Sequence, residues 1–307
     1  MIIPAEAQDW VSIFLGILIE ATPFLLLGVV LSSLVQVFVH EDTLLRFVPK
    51  NPLLSLLPAF GVGMLMPVCE CGNVAVARRF LAKGIPTSTC IAFLLAAPIL
   101  NPVALFATFT AFRFEPDMVW LRALFAFVIA AIVGLLVGRA GRGDTILSAG
   151  VERQRHDHDH HHHDHTVAGF APKLHQSLDQ AGGEFLSMMR ILIIGAALAS
   201  ATQVLVPRTL ITGFGTGIVF AILAMMSLAF VLSICSTVDA FFALSYASLF
   251  PSPALLAFLV LGPMLGMKTT GLMLTAFRPR AVAAIAVVTL ELVFVGALLL
   301  NLRGVVL

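Results

Sequence analysis

The sequence predicts an all-α integral membrane protein made of two homologous halves, and three observations support this fold class. Hydrophobic residues make up 59% of the 307 residues and charged residues 11%, whereas soluble proteins average about 45–50% and about 25%. Several segments contain about 20 predominantly apolar residues, the length that crosses a hydrocarbon layer as a helix. Similar residues also recur in the same order in the two halves of the chain.

The remaining composition argues against several other classes of protein. A net charge of +1 offers no basic surface for nucleic acid. The N-terminus carries Glu6 and Asp9 instead of a basic region and leads into a long apolar run, so we expect no cleaved signal peptide. The four cysteines lie in apolar surroundings, and only two of them are close in sequence, which does not fit a secreted disulfide framework.

The first half contains four apolar runs, interrupted by a polar segment at residues 67–73. A short basic helix is expected directly after this polar segment, and Gly84 and Pro86 end that helix. The runs cover residues 10–39, 53–66, 87–111 and 118–137.

The second half repeats this pattern after a polar, histidine-rich stretch that is typical of a solvated linker. Its apolar runs cover residues 185–206 and 211–234, a short piece ending near Phe250, and residues 254–276 and 281–302. We therefore divide the chain into a first transmembrane repeat, a His-rich hydrophilic linker and a second transmembrane repeat, at residues 1–139, 140–183 and 184–307.

The repeat is visible when the chain is shifted by about 166 residues, which places Cys235 over Cys69. Asp239 then falls on Asn73, and, with a drift of about one residue, Pro263 falls on Pro98. Ordered matches that include cysteine, proline and polar positions are rarer between unrelated apolar helices than isolated coincidences.

The orientation of the repeat depends on residues 53–83. If this segment enters the membrane and returns as a re-entrant hairpin, each half has three spans and the repeat is inverted. If it crosses, each half has four spans and the repeat is parallel; residues 53–69 are about 25 Å long as a helix and nearly span. We favour the inverted form, because a hairpin puts the basic clusters on one side, as the positive-inside rule requires. These clusters are Arg46/Lys50, Arg78/Arg79/Lys83, Arg139/Arg142/Arg153/Arg155 and Arg278/Arg280.

The polar breaks at matching places in the two halves are the candidate substrate site. A break frees backbone groups that lipid cannot satisfy, so it must line a cavity or be buried in protein. The following spans are interrupted in the same way, by the stretches at residues 98–102 and 262–268. The predicted substrate-binding residues are Cys69, Glu70, Cys71, Asn73, Asn101, Cys235, Ser236, Thr237, Asp239 and Lys268.

Each of these residue types also has an ordinary structural explanation. Cysteine in a membrane helix is often a small apolar filler, which is how we interpret Cys90. Lysine near a helix end can reach the interface, as Lys268 would. Carboxylates at membrane depth are costly and seldom without a role. Glu20 and Glu291 also lie within apolar runs, as proton carriers or as partners of a basic residue such as Arg190.

The first break also resembles a known family. Pro67-Val-Cys-Glu-Cys-Gly-Asn73, Lys83-Gly-Ile-Pro86 and Ala97-Pro-Ile-Leu-Asn-Pro102 are similar to motifs of the predicted bacterial permeases that include ArsP-type methylarsenite efflux permeases and YraQ-type proteins. The resemblance implies a multi-pass permease of the bacterial inner membrane and, for the arsenical branch, export of trivalent organoarsenicals through cysteine thiols, here Cys69 and Cys71. The second half contains only a weaker match to the first-half motif, which ends in Cys235-Ser-Thr-Val-Asp239.

The linker contains a second candidate site, for metal. Seven of the ten residues from 156 to 165 are histidine and the others are aspartate. Imidazoles with carboxylates bind zinc, copper or nickel, although a solvated linker alone would also explain the composition. The predicted metal ligands are His156, His158, His160, His161, His162, His163 and His165.

The leading hypothesis is a secondary permease that exports a thiophilic metal ion or metalloid and is driven by protons, because the sequence contains no phosphate-binding loop for ATP. Soft thiolates favour copper, zinc and similar centres, and the histidine linker favours metal ions over methylated arsenic.

The alternatives are a permease for another small solute or anion, with incidental cysteines, and an intramembrane thiol oxidoreductase. The partners expected are the lipid bilayer and a small inorganic or organometalloid substrate; a homodimer is compatible with the sequence, and no resident cofactor is expected beyond transported or linker-bound zinc or copper.

Overall fold

A computed structural model of the chain describes residues 5–38, 49, 51, 54–65, 70–140, 146–148, 151, 170–205, 217–247 and 249–302. These residues form twelve α-helices and no β-strand; the only bridge among them joins Leu147 and Phe277. The helices before the linker are α1 Ala5–Phe38, α2 Leu56–Leu65, α3 Glu70–Ala82, α4 Thr87–Leu100, α5 Pro102–Ala111 and α6 Asp117–Ala140. Those after it are α7 Phe170–Leu205, α8 Ile218–Leu232, α9 Asp239–Leu244, α10 Ser252–Met264, α11 Met267–Ala276 and α12 Pro279–Leu302.

Six stretches among the described residues are long and apolar enough to cross a membrane, with 21 to 25 residues each. Three precede the linker and three follow it. They are Ala7–Val30, Thr87–Ala111, Asp117–Val137, Ala181–Ala201, Ser252–Ala276 and Pro279–Leu302. The predicted all-α fold with membrane-spanning helices is therefore confirmed, whereas the orientation of the two halves stays a prediction.

The second and fifth of these spans are interrupted helices. Pro102 forces the preceding residue out of the helical region, so α4 ends at Leu100, and Asn101 has an extended backbone with φ of −54° and ψ of 128°. The Asn101 side chain accepts a hydrogen bond from the backbone N–H of Val103 at 2.8 Å and so caps α5. The fifth span is broken at Leu265 and Gly266, just after Pro263.

The two interrupted spans form the centre of the molecule. Nearly every residue of α4 and α10 is buried, and these two helices contact each other. The outer helices α1, α6, α7 and α12 expose large apolar side chains, as lipid-facing helices do. Because α1 also packs on α7 and α6 on α12, each of these helices meets its positional counterpart in the other half, a pattern that supports the predicted repeat.

Part of the predicted linker is ordered against the second half. Residues 170–183 belong to the N-terminal part of α7, and Ile146, Leu147 and Ser148 lie at the junction of α11 and α12. The Ser148 N–H donates to the carbonyl of Ala276 at 3.0 Å, and the Arg278 N–H donates to the carbonyl of Ile146 at 2.8 Å. The histidines from 156 to 165 lie outside the described residues.

Candidate functional site

A buried ion pair joins the two polar breaks. Glu70 is the first residue of α3, and its carboxylate lies 2.9 Å from the Lys268 ammonium in the first turn of α11, with exposures of 2% and 5% for the two side chains. The Cys235 thiol donates to the same carboxylate, at an Sγ–Oε2 distance of 3.7 Å. Because Cys235 lies in the non-helical segment between α8 and α9, three separate elements converge on Glu70.

The two members of this pair differ in how well they suit their helices. A carboxylate at a helix N-terminus is stabilised by the helix dipole, whereas a cation there is destabilised. Glu70 therefore suits the start of α3, but Lys268 does not suit the start of α11. Since the local preference opposes Lys268, its place is explained by the Glu70 carboxylate, and residues that break a local rule in this way concentrate at functional sites.

A second buried ion pair involves Asp239, the first residue after the break in the second half. The Arg122 guanidinium in α6 binds the Asp239 carboxylate through two hydrogen bonds, of 2.6 and 3.1 Å. Its Nη1 also donates to the Thr108 hydroxyl of α5 at 2.6 Å. Arg122 is completely buried, and such paired bonds are among the stronger polar interactions. This pair fixes the first residue of α9 to two helices of the first half.

The two ion pairs act as one electrostatic cluster. The Cys235 thiol that contacts Glu70 lies four residues before Asp239, and Cys71 directly follows Glu70 in the first turn of α3. The two carboxylates and two basic groups cancel in formal charge, which limits the penalty of holding ions in a medium of low dielectric constant. The Cys71 and Cys235 thiols therefore lie among charged groups whose formal charges sum to zero.

The second break owes its shape to close backbone packing. Ser233 has a φ of 50°, a left-handed conformation that is unusual for a residue other than glycine. Its hydroxyl accepts a hydrogen bond from the Lys268 N–H at 3.3 Å. A Cβ atom at Gly266 would overlap that hydroxyl, so glycine leaves the room that the hydroxyl occupies. Ser233 and Gly266 together hold the start of α11 against the break.

Several buried polar side chains near the starts of α3 and α11 form no hydrogen bond with any described residue. Both the amide nitrogen and the amide oxygen of Asn73 are buried without a hydrogen-bond partner, as are the hydroxyls of Thr269 and Thr270. A buried polar group without a partner costs about 1–3 kcal/mol, so such groups are rare unless they serve a function. Their position at the starts of α3 and α11 suits recognition of a polar solute.

The other predicted site residues have diverse environments. Cys71 is fully buried in the first turn of α3, Ser236 is buried, and Thr237 is half-buried. Cys69 lies outside the described residues. Asn101 serves as a helix cap, and its predicted role in binding stays a prediction. Neither Cys71 nor Cys235 is in a disulfide.

Sequence reasoning missed Arg122. The signal was present, because a single arginine interrupts the apolar run of residues 118–137, and a charge at membrane depth is rarely without a role. The expected pairing of Glu20 or Glu291 with Arg190 is not seen among the described residues. Within the same part of the chain, no three His, Cys, Asp or Glu side chains come close enough together to hold a metal ion.

Comparisons with known proteins agree with this architecture. Residues 6–302 match the ArsP_1 family model, described as a predicted permease. The chain is 41% identical over 290 residues to the UPF0718 protein YcgR of Bacillus subtilis, covering 94% of this chain and 96% of the relative. It is 36% identical over 278 residues to a Streptococcus mutans protein named as a subunit of a two-component membrane permease complex, covering 91% and 90%. No solved structure matches significantly. The chain is therefore a multi-pass membrane permease rather than an enzyme, and it belongs to the ArsP_1 family of predicted permeases.

Proposed function

We propose that this permease is a secondary exporter of a thiophilic metal ion or metalloid, with zinc, copper and trivalent organoarsenicals as the candidate substrates. The observation that carries the proposal is the buried contact of Glu70 with Lys268 and with the Cys235 thiol, at distances of 2.9 and 3.7 Å. Thiols at membrane depth, next to a carboxylate, provide soft ligands in a position that both halves share.

The charge balance of the cluster favours a neutral substrate over a free cation. A metal ion that used the Glu70 carboxylate would have to displace the Lys268 ammonium and would leave that ammonium buried without its partner in a medium of low dielectric constant. A neutral trivalent arsenical would bind thiols without disturbing the ion pair. The buried amide of Asn73 offers hydrogen bonds to the hydroxyl groups of the arriving arsenical, before these groups leave as water on condensation with the thiols. We therefore rank the metalloid above the metal ion.

The two substrate classes differ in the protons they release. A divalent ion that binds two thiols as thiolates releases two protons. A dihydroxy arsenical that condenses with two thiols forms two arsenic–sulfur bonds and two water molecules, and releases none. Proton release by the purified permease in weakly buffered detergent, with zinc, copper(I) or methylarsenite added, therefore distinguishes the two classes. In the proposed mechanism Glu70 and Asp239 are the candidate proton carriers.

A transport assay tests the role of the thiols. In cells that lack other exporters, we expect Cys71→Ser and Cys235→Ser to raise accumulation of the substrate to the level of cells without the permease. Cys90→Ser is the matched control, because Cys90 is equally buried but lies in α4, away from the breaks. Equal accumulation of every candidate substrate by wild type and both variants would remove the thiols from the mechanism.

A second candidate is export of a small oxygen-bearing anion with no sulfur chemistry. It is favoured by the Lys268 ammonium and by the unused groups of Asn73 and Thr269 at the starts of α3 and α11, because helix N-termini attract anions. Transport that survives replacement of both cysteines but is lost in Asn73→Ala would support this candidate. An intramembrane oxidoreductase is disfavoured, because the family that the chain matches is described as predicted permeases.

We further propose that the two halves are inverted repeats and that the histidine-rich linker lies in the cytoplasm, where it would collect ions for export. Three spans on each side of the linker and the contacts of α1 with α7, α4 with α10 and α6 with α12 support this arrangement. It also suits a bacterial inner-membrane location, with the basic clusters on the cytoplasmic side.

A further inference from the structure

The outward face of α12 carries a carboxylate at its centre. Glu291 is exposed, and lies about 18 Å from the first residue of the helix at 1.5 Å per residue. That distance is too long for its short side chain to reach the aqueous phase. No described residue pairs with Glu291. Charged groups inside a membrane normally face protein or a water-filled cavity, so an outward carboxylate at this depth indicates a missing contact.

The outward face of α7 carries the opposite charge at a similar depth. Arg190 is exposed and lies near the middle of the apolar stretch Ala181–Ala201. No described residue pairs with it either. Among the described residues, Arg190 and Glu291 are therefore exposed charges at membrane depth on separate outer helices, whereas Glu20 in α1 is half-buried.

The two faces match in register. The stripe on α7 consists of Leu186, Arg190, Ile194 and Leu198, and the stripe on α12 consists of Val287, Glu291, Val295 and Leu299. Each member of the second stripe lies 101 positions after its counterpart in the first. If the six apolar stretches each cross once, the fourth and sixth run in the same direction. Helices α7 and α12 of two neighbouring copies would then align side by side with Arg190 level with Glu291.

Helix α8 supplies the middle of the same surface. It contacts both α7 and α12, and its residues Val219, Phe220 and Leu223 are exposed. A two-fold axis that passes by α8 brings α7 of each copy against α12 of the other. Such an interface is self-complementary, because each contact occurs twice.

We propose that a second copy of this chain docks on the surface formed by α7, α8 and α12, through two reciprocal ion pairs between Glu291 and the partner subunit's Arg190. Charge complementarity argues for a second copy, because the other basic groups at membrane depth, Arg122 and Lys268, are already buried in ion pairs. This inference is independent of what the permease transports.

Charge exchange is the first test. The dimer fraction would be measured by energy transfer between labelled full-length chains in lipid vesicles. We expect Glu291→Arg and Arg190→Glu each to weaken dimerisation by roughly tenfold or more, as loss of polar contacts between membrane helices does. The double variant would restore it. Glu291→Gln is a milder variant in case the charge reversals do not fold. A monomeric wild type, or a dimer unaffected by these changes, would overturn the proposal.

Cross-linking in native membranes is the second test. Leu186→Cys combined with Val287→Cys is expected to form a covalent dimer on mild oxidation, because the two positions share one level in the matched stripes. The controls are wild type, which keeps its native cysteines, and Val128→Cys with Val287→Cys, since Val128 is exposed on α6 instead. Efficient cross-linking of the control pair, or none of the designed pair, would contradict the proposed interface.

Discussion

The guanidinium of Arg122 is the most enclosed charge in the described part of the chain, and it depends on a single carboxylate. It makes two hydrogen bonds to Asp239 across 117 residues of sequence. A buried ion pair contributes little net stability compared with apolar residues of similar volume, but the loss of one partner leaves an unpaired buried charge, which costs about 3–5 kcal/mol. The pair therefore predicts different effects for single and double substitutions.

We expect Arg122→Gln and Asp239→Asn each to lower the thermal stability of the purified permease strongly, by the equivalent of about 3 kcal/mol or more. Arg122→Met combined with Asp239→Leu should recover most of that stability, because no charge is left unpaired. If the pair also serves transport, the double variant should be stable and inactive. Thermal unfolding in detergent and a vesicle transport assay measure the two effects separately. A double variant as unstable as the single variants would contradict the argument.

Lys268 is expected to set the charge that the site accepts. Its ammonium neutralises Glu70, so Lys268→Met leaves one uncompensated carboxylate beside Cys235. A divalent cation could then bind the carboxylate without displacing an ammonium, and the carboxylate together with one thiolate would cancel its charge. We predict that Lys268→Met binds zinc more tightly than wild type and transports a neutral arsenical less well.

Calorimetric titration of the purified proteins with zinc measures this change. Lys268→Met combined with Glu70→Gln is the matched control, because it removes both charges and should return zinc affinity to the wild-type level. Unchanged zinc affinity in Lys268→Met would show that the ammonium does not control selectivity.

Among the elements, the interrupted helices were the most predictable from sequence. Long apolar runs indicated the spans, and the prolines at 86 and 102 indicated the start of α4 and the break after it, because the residue before a proline avoids the helical conformation. Pro98 and Pro263 instead lie inside α4 and α10, close to their ends. Neither ion pair was predicted. Both depend on which elements meet across the two halves, and the sequence near Glu70 contains no information about Lys268. Cys90, assigned as apolar filler, is fully buried in α4.

The second break depends on one glycine and one strained serine. Gly266→Ala would bring a Cβ atom against the Ser233 hydroxyl, so this hydroxyl must turn away from the Lys268 N–H or the break must move, at a cost of about 1–3 kcal/mol. Ser233→Gly removes the obstructing hydroxyl and also relieves the left-handed conformation. We predict that Gly266→Ala lowers the melting temperature and that adding Ser233→Gly restores most of it.

The control for that experiment is Gly28→Ala. A Cβ atom at Gly28 would lie 2.5 Å from the backbone of Gly72, and no side-chain change can remove that contact. Ser233→Gly should therefore raise the melting temperature of Gly28→Ala only by as much as it raises that of wild type. Rescue of both glycine variants by Ser233→Gly would mean that it stabilises the fold generally instead of relieving the local clash.

At the scale of the whole molecule, the linker divides the chain into two halves with three apolar spans each, and both ion pairs connect one half to the other. Glu70 and Arg122 belong to the first half, and Lys268 and Asp239 to the second. Movement of one half against the other, as alternating access requires, would have to break or rearrange these pairs. Because each pair consists of one carboxylate and one basic group, exchange of partners during such a movement need not leave a net charge in the membrane.

The number of crossings in each half decides between the inverted and the parallel arrangement. Three crossings put the linker on the opposite side of the membrane from the N-terminus, because an odd number reverses the direction of the chain. Four crossings, with α2 and α8 also spanning, return it to the same side. Helix α2 has only 10 residues, about 15 Å at 1.5 Å per residue, which is half of a typical hydrocarbon layer. We therefore predict three crossings and a cytoplasmic linker.

In intact cells a membrane-impermeant maleimide should label Gln8→Cys, whereas Thr166→Cys in the linker should react only after the membrane is permeabilised. Wild type gives the background from the native cysteines. Labelling of both variants under the same condition would establish an even number of crossings and a parallel repeat.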